Sequence, residues 1–380
     1  MRKKRKQKRD KKVYIGICIC VILGVLMGIV LGDAMIIGSG SGSLMITLML
    51  AYIAMTLHVI IHEAGHLVFG ILSGYKFISF RIFSFIWLKV DGKMRVKRYT
   101  LAGTSGQCLM APPDLKDGKM PVLLFNFGGS LMNLLVSLFS LVIFYLTNWK
   151  IILLFAVIGL LTAFINGIPL RVGLIDNDGK NAISLQKNPK AIRAFWVELK
   201  VGEMQAKGKR LKDMPEEWFQ MPADSDLINS TIVTTAVYAC NRLMDELRFE
   251  EAEAEMRRLL AMDSGIAGIH KNLMICDLIY CELISKNRLD VIEEYNSDVL
   301  KQFMKQMKTF PSVIRTEYAY ALLCERNKEK AQKHLAYFEK TEKNYPYPQD
   351  MQSERELMQI ADKVHEERNT NTVVIRKIVD

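Results

Sequence analysis

Hydrophobic positions fall into two regimes along this chain. Up to about residue 182 they run in long, nearly unbroken blocks; beyond that they recur singly and in pairs among charges. Four blocks, at about 13–37, 44–72, 121–146 and 151–169, are long enough to cross a bilayer, which takes about 20 apolar residues. Between the second and third blocks the period changes. Residues 77–87 are aromatic and β-branched with partial alternation. The pair Asp91-Gly92 follows, and then 94–99 alternates cleanly. This pattern predicts a β-hairpin over about 75–100 at the membrane surface. Residues 183–228 mix helical and Pro-containing pieces and read as a connector. From 229 onward helix pairs recur: 233–247 leads into 250–254, 273–283 is followed by Asn287, and 314–324 leads into 327–332.

In the first and last of these, a helix and a short polar break lead into a second helix built around a small Ala, and the middle one is a further copy. That arrangement is similar to degenerate tetratricopeptide-type hairpins, in which small residues let paired helices pack closely. The expected fold is therefore a polytopic α-helical membrane protein with about four transmembrane helices. Its core is 13–182, with a membrane-surface β-hairpin. A C-terminal all-α, tetratricopeptide-like cytosolic domain follows at 229–365, then a flexible tail at 366–380.

Charge orients the spans. Nine of the first twelve residues are Lys or Arg, against Asp10 alone, which accounts for most of the net charge of +11. Because the tail 1–12 runs straight into an apolar block, it reads as a topology signal, and no nucleic-acid partner is expected. A secretory signal peptide also starts with a basic region. The first block is long for one and lacks a small-residue cleavage site. The loop 38–43 is uncharged and 147–150 holds only Lys150. The loop between the second and third spans carries Lys76, Arg81, Lys89, Lys93, Arg95, Lys97, Arg98, Lys116 and Lys119. Positive loops stay in the cytosol, so both ends of the chain are expected there. The compact size and the missing large lumenal loop suit a bacterial plasma membrane. The seven cysteines show no pairing pattern and read as buried reduced thiols.

Chemistry concentrates at His62-Glu63-Ala64-Gly65-His66. On a helix, positions four apart share a face, so both imidazoles can reach one ion while Glu63 stands ready to take a proton from water. The motif lies in the cytosolic half of the second span, where ionisable residues mark function by default. His58, one turn earlier, is either an outer-shell partner or a pore-side packing residue. A catalytic zinc wants three protein ligands and an open position. Asp178 is the best third ligand, because Gly179 allows a tight turn behind it; Asp176 is the competitor. Asn133 is a polar group at lipid depth and needs a partner or a substrate. Gly128 and Gly129 serve either span movement or close helix packing. One zinc ion per chain, on His62, His66 and Asp178, is expected.

The chain resembles the site-2 protease family of intramembrane zinc metalloproteases over about 44–182. The resemblance rests on H-E-A-G-H, on G-G-S-L-M-N at 128–133 with Ser130 in the family's usual Pro place, and on N-G-I-P at 166–169 followed by D-N-D-G at 176–179. It implies hydrolysis of peptide bonds in membrane-spanning substrates and a role for Asn133 in positioning or polarising the substrate carbonyl. No segment resembles the family's common PDZ domain, so the C-terminal helices are left the docking role toward a protein partner. A substrate helix hides its carbonyls in its own hydrogen bonds and must unwind; the strand at 94–99, or that at 80–85, could hold the unwound segment by edge pairing. Membrane lipids complete the expected partners. Two other classes compete: a catalytically silent membrane scaffold and a metal or ion transporter. The intact Glu63 between the two histidines speaks against the scaffold.

Overall fold

The computed structural model describes Gly28 and residues 41–379, apart from 91–92, 102, 173–174 and 187. The basic tail 1–12 and, Gly28 aside, the first expected span at 13–37 lie outside the described residues. Among the described residues, three helices are long and apolar enough to cross a membrane: Leu44–Leu72, Leu123–Thr147 and Lys150–Gly167. The chain divides into two compact units. One holds the chain up to Gly74 together with Pro121–Val172 and Asp176–Ile183; the other holds Tyr75–Met120, Gly173–Ile175 and Ser184–Asp380.

The first unit is built on α1 (Ser41–Leu72), α2 (Leu123–Thr147) and α3 (Lys150–Gly167). α2 stops at Asn148, which takes a left-handed conformation (φ 56°) and donates its backbone N–H to Phe144 O. Such a residue ends a helix at little cost when it is Asn or Gly. Ile168, ahead of Pro169, is extended and ends α3. Small residues bring α1 and α2 together backbone to backbone. A Cβ added at Gly65 would stand 2.4 Å from Gly128 O, and one at Gly128 would stand 2.8 Å from Gly65 O. In an apolar solvent, where hydrophobic burial does not drive association, such close approach is what holds helices together.

The second unit contains a four-stranded antiparallel sheet in the order β3-β2-β1-β4, with β1 Lys76–Ile82, β2 Phe85–Val90, β3 Lys93–Arg98 and β4 Gly106–Ala111. The expected hairpin over 75–100 is thus corrected to four strands. The run 77–87 breaks at Phe83, which takes φ 51°. The cause is Arg81, fully buried, whose guanidinium donates to Phe83 O at 2.8 Å and to Gly106 O at 3.0 Å and so ties the turn to β4. β1 lies between β2 and β4, so the segment 80–85 offers no free edge. β3 remains an edge strand.

The rest of this unit is helical: α4 (Asp178–Leu185, which begins in the first unit), α5 (Pro189–Ala206), α6 (Ser230–Asp245), α7 (Phe249–Ala261), α8 (Gly268–Ile284), α9 (Leu289–Tyr295), α10 (Asp298–Gln306), α11 (Pro311–Ala319, continuing as a π turn through Cys324), α12 (Lys328–Glu342) and α13 (Pro348–Val379). Three helix ends of this unit carry a left-handed residue other than glycine, Leu247, Asn287 and Arg326. They recur at about 40 residues, longer than the 34 of a tetratricopeptide repeat. Each marks the bend of a hairpin: α6 to α7, α8 to α9, and α11 to α12. No Gly or Pro follows Pro348, and α13 runs on to Val379, taking in the segment 366–379 expected as a flexible tail. The sheet packs with these helices. Arg98 N–H donates to Asn344 O at 3.1 Å, and the Tyr99 ring meets Tyr345 and Tyr347 edge-on at 5.7 and 5.6 Å.

Candidate metal centre

α1 presents His58, His62 and His66 on one face, a helical turn apart, all three buried. α4 supplies the carboxylate. Asn177 sets the start of α4: its Oδ1 accepts from Lys180 N and Leu170 N, both at 3.0 Å, and its Nδ2 donates to Ile165 O at 2.6 Å and to Ile168 O. Asn is a favoured N-cap for this reason. Here the cap also ties the end of α3 to the first turn of α4, where Asp178 sits. Gly179 is needed for close approach: a Cβ there would stand 2.1 Å from Gly167 O. The tight turn expected of Gly179 is not its part, since it lies within α4.

His62, His66 and Asp178 each offer a ligand atom, and these atoms lie within 4.8 Å of one another. The two Nε2 atoms are 3.3 Å apart, and Asp178 Oδ2 lies 2.9 Å from His62 Nε2 and 3.3 Å from His66 Nε2. Two zinc ligands at about 2.0–2.1 Å in a tetrahedral array stand roughly 3.3–3.4 Å apart, so the spacing of the imidazoles suits one ion. Asp178 Oδ2 is buried and makes no well-formed hydrogen bond, which leaves a basic oxygen facing two basic nitrogens. Such a set fits a divalent cation. Burial pushes the Asp178 carboxyl up, but a proton held on the adjoining His66 or His62 ring outweighs this and keeps it well below the usual carboxylate range. Asp176 stands apart from the cluster, its Oδ1 2.6 Å from Lys180 Nζ.

His66 Nδ1–H donates to Phe125 O at 2.8 Å, which leaves its Nε2 lone pair free for an ion. His62 is seated on Gly129, where a Cβ would stand 2.5–2.6 Å from three ring atoms. Glu63 is buried. Asn133 is fully buried. Its amide lies 3.1 Å from His58 Nδ1 and 3.3 Å from His62 Nδ1. Each end of the amide is thus engaged by one imidazole. His58 in turn donates Nε2–H to Phe155 O at 2.9 Å. Sequence reasoning missed Asn177, the Phe125 carbonyl and the seat at Gly129. Of these, only Asn177 carried a signal, as an Asn immediately before an acidic first turn.

A family model described as Peptidase M50B-like matches residues 42–172. No curated protein and no solved structure matches the chain.

Proposed function

Residues 42–172 make this chain a member of the Peptidase M50B-like family, and from that premise we propose that it is an intramembrane zinc metalloprotease cleaving membrane-spanning substrates. The observation that carries the reading is the convergence of His62, His66 and Asp178 at one point on a helix apolar enough to span a bilayer. These three side chains would hold the zinc. When bound, zinc supplies Lewis-acid chemistry: it acidifies water toward neutral pH and polarises a carbonyl. Glu63, next to His62 on α1, accepts the proton of the attacking water on its carboxylate and later returns it to the leaving amine. The buried setting of Glu63 excludes competing solvent and strengthens its interactions.

Substrates reach such a site as unwound segments. β3, an edge strand of the sheet, suits pairing with an extended chain along the part before Arg98, and its Lys and Arg residues suit a negatively charged lipid or peptide flank. The helical hairpins at 229–365, read as tetratricopeptide-like, serve as the docking region for a protein partner. Loop charge sets both chain ends in the cytosol, and the compact size and missing large lumenal loop suit a bacterial plasma membrane.

A quantitative census of membrane-protein fragments, in cells carrying wild type or Glu63→Gln, tests the reading. Full-length or pre-trimmed membrane stubs should accumulate only with the variant, while purified variant protein keeps its zinc. Identical fragment profiles with zinc bound and candidate substrates expressed would replace the protease with the scaffold.

A further inference from the structure

We propose that His58 and Asn133 are positioning residues that fix the tautomer and ring orientation of His62 through a relay starting at the Phe155 carbonyl. The inference rests on the metal-centre reading above and concerns how one ligand of that centre is prepared.

Hydrogen-bond chemistry sets the direction of the relay. Phe155 O can only accept, so His58 Nε2 must carry a proton. A neutral His58 then has a bare Nδ1, which needs a donor. Asn133 supplies one if its Nδ2 faces His58. Its Oδ1 then faces His62, accepts from Nδ1–H, and leaves the Nε2 lone pair of His62 pointing at His66 and Asp178. As the atoms stand, Oδ1 lies toward His58 and Nδ2 toward His62. That orientation would require both His58 nitrogens to be protonated beside buried neighbours. It would also place a proton on His62 Nε2, where it blocks a metal. A half-turn of the amide exchanges the two ends and resolves both conflicts, and amide orientation is a choice that hydrogen-bond logic decides.

Packing independently points to a built relay. Each imidazole occupies a notch that only glycine leaves open. A Cβ at Gly129 would meet the His62 ring at 2.5 Å, and one at Gly159 would meet His58 Cε1 at 2.2 Å and Ser137 Oγ at 2.1 Å. Three helices thus close on one line of polar atoms in an otherwise apolar bundle. An Asn at lipid depth is expensive unless both ends of its amide are satisfied, and the two histidines satisfy them.

The test uses full-length protein in detergent, with zinc affinity read by chelator competition and nitrogen NMR of labelled histidine. His58→Phe and Asn133→Leu should each weaken zinc binding by about 10–100-fold, the usual loss when an outer partner of a ligand histidine is removed. His58→Gln offers an amide oxygen in the Nδ1 place and an amide N–H in the Nε2 place, and should restore affinity to within roughly threefold of wild type. In zinc-loaded wild type, His58 should show a protonated Nε2 and a bare Nδ1, a readout that needs no variant to fold. Equal zinc affinity in wild type, His58→Phe and Asn133→Leu, or a proton on His58 Nδ1, overturns the relay and leaves the metal centre standing. Absence of zinc binding by wild type would overturn both.

Discussion

Gly129 and His62 meet across the interface of α2 and α1 with no space for a methyl group: a Cβ at 129 would stand 2.5 Å from His62 Cε1 and 2.6 Å from both ring nitrogens. Neither helix backbone can yield easily, because Gly65, three residues from His62, and Gly128, next to Gly129, already touch. Gly129→Ala should therefore displace the imidazole and weaken zinc binding by about 10-fold or more, as misplacing a ligand does. Gly167→Ala is the control, since its Cβ would sit 3.5 Å from Ser130, an ordinary contact. Chelator competition on the two purified variants checks the contrast; equal affinities would show that the ring can move without consequence.

The two neighbouring acids separate by partner. Asp178 faces the imidazoles, whereas Asp176 is held by Lys180. Asp178→Asn should remove a charged ligand and lower zinc affinity by about 100-fold or more, with cleavage lost in step. Asp176→Asn should leave zinc stoichiometry at wild-type level. Metal analysis of both proteins after dialysis against a weak chelator decides between them.

Why some of this could be read from residues and some could not follows from the range of the forces involved. His62 and His66 share a helix, so their convergence is a property of 3.6 residues per turn and shows at a spacing of four. The three described spans were legible for a similar reason: length and apolarity alone decide them. Asp178 lies more than a hundred positions away. Its place depends on Asn177 tying α3 to α4, so residue type narrowed the choice without closing it. The sheet was harder. The turn at Phe83 is imposed by Arg81 and Gly106, a contact between strands distant in sequence, and an unbroken apolar run hides it. An isolated polar residue in a span, as Asn133 is, needs a partner or a substrate; the sequence does not say that two histidines lie beside it.

In the second unit, Arg315 is buried between Asp277 and Glu354 and lies over the Tyr280 ring at 4.4 Å. Removing one partner of a buried ion network leaves charges without compensation. Arg315→Met should lower stability of this unit by about 3–5 kcal/mol. Denaturant unfolding followed by a probe in α8 or α13 measures it, and a loss below about 1 kcal/mol would mean that the network contributes little beyond what packed apolar groups supply.

Asp350, in the first turn of α13, gives the unit a pH dependence whose sign follows from its burial. Burial pushes its carboxyl up to about 7, the nearby Glu354 and Asp245 add to the rise, and Gln205 and Arg210 oppose it. The folded state thus holds a proton that the unfolded chain releases near pH 4. Between about pH 4 and 7 the folded form binds more protons, so stability falls as pH rises through that window. Above it the folded protein carries a charge that its surroundings disfavour. Asp350→Asn imitates the protonated group and can keep the contact with Gln205, whose Nε2 lies 3.5 Å from Asp350 Oδ1. The variant should therefore match wild type near pH 4 and exceed it near pH 8, by an amount on the order of 1–3 kcal/mol. Thermal unfolding of full-length wild type and variant at the two pH values reads the difference directly. A variant less stable than wild type at pH 8 would mean that Asp350 is ionised and paired in the folded protein, and the sign of the linkage would reverse.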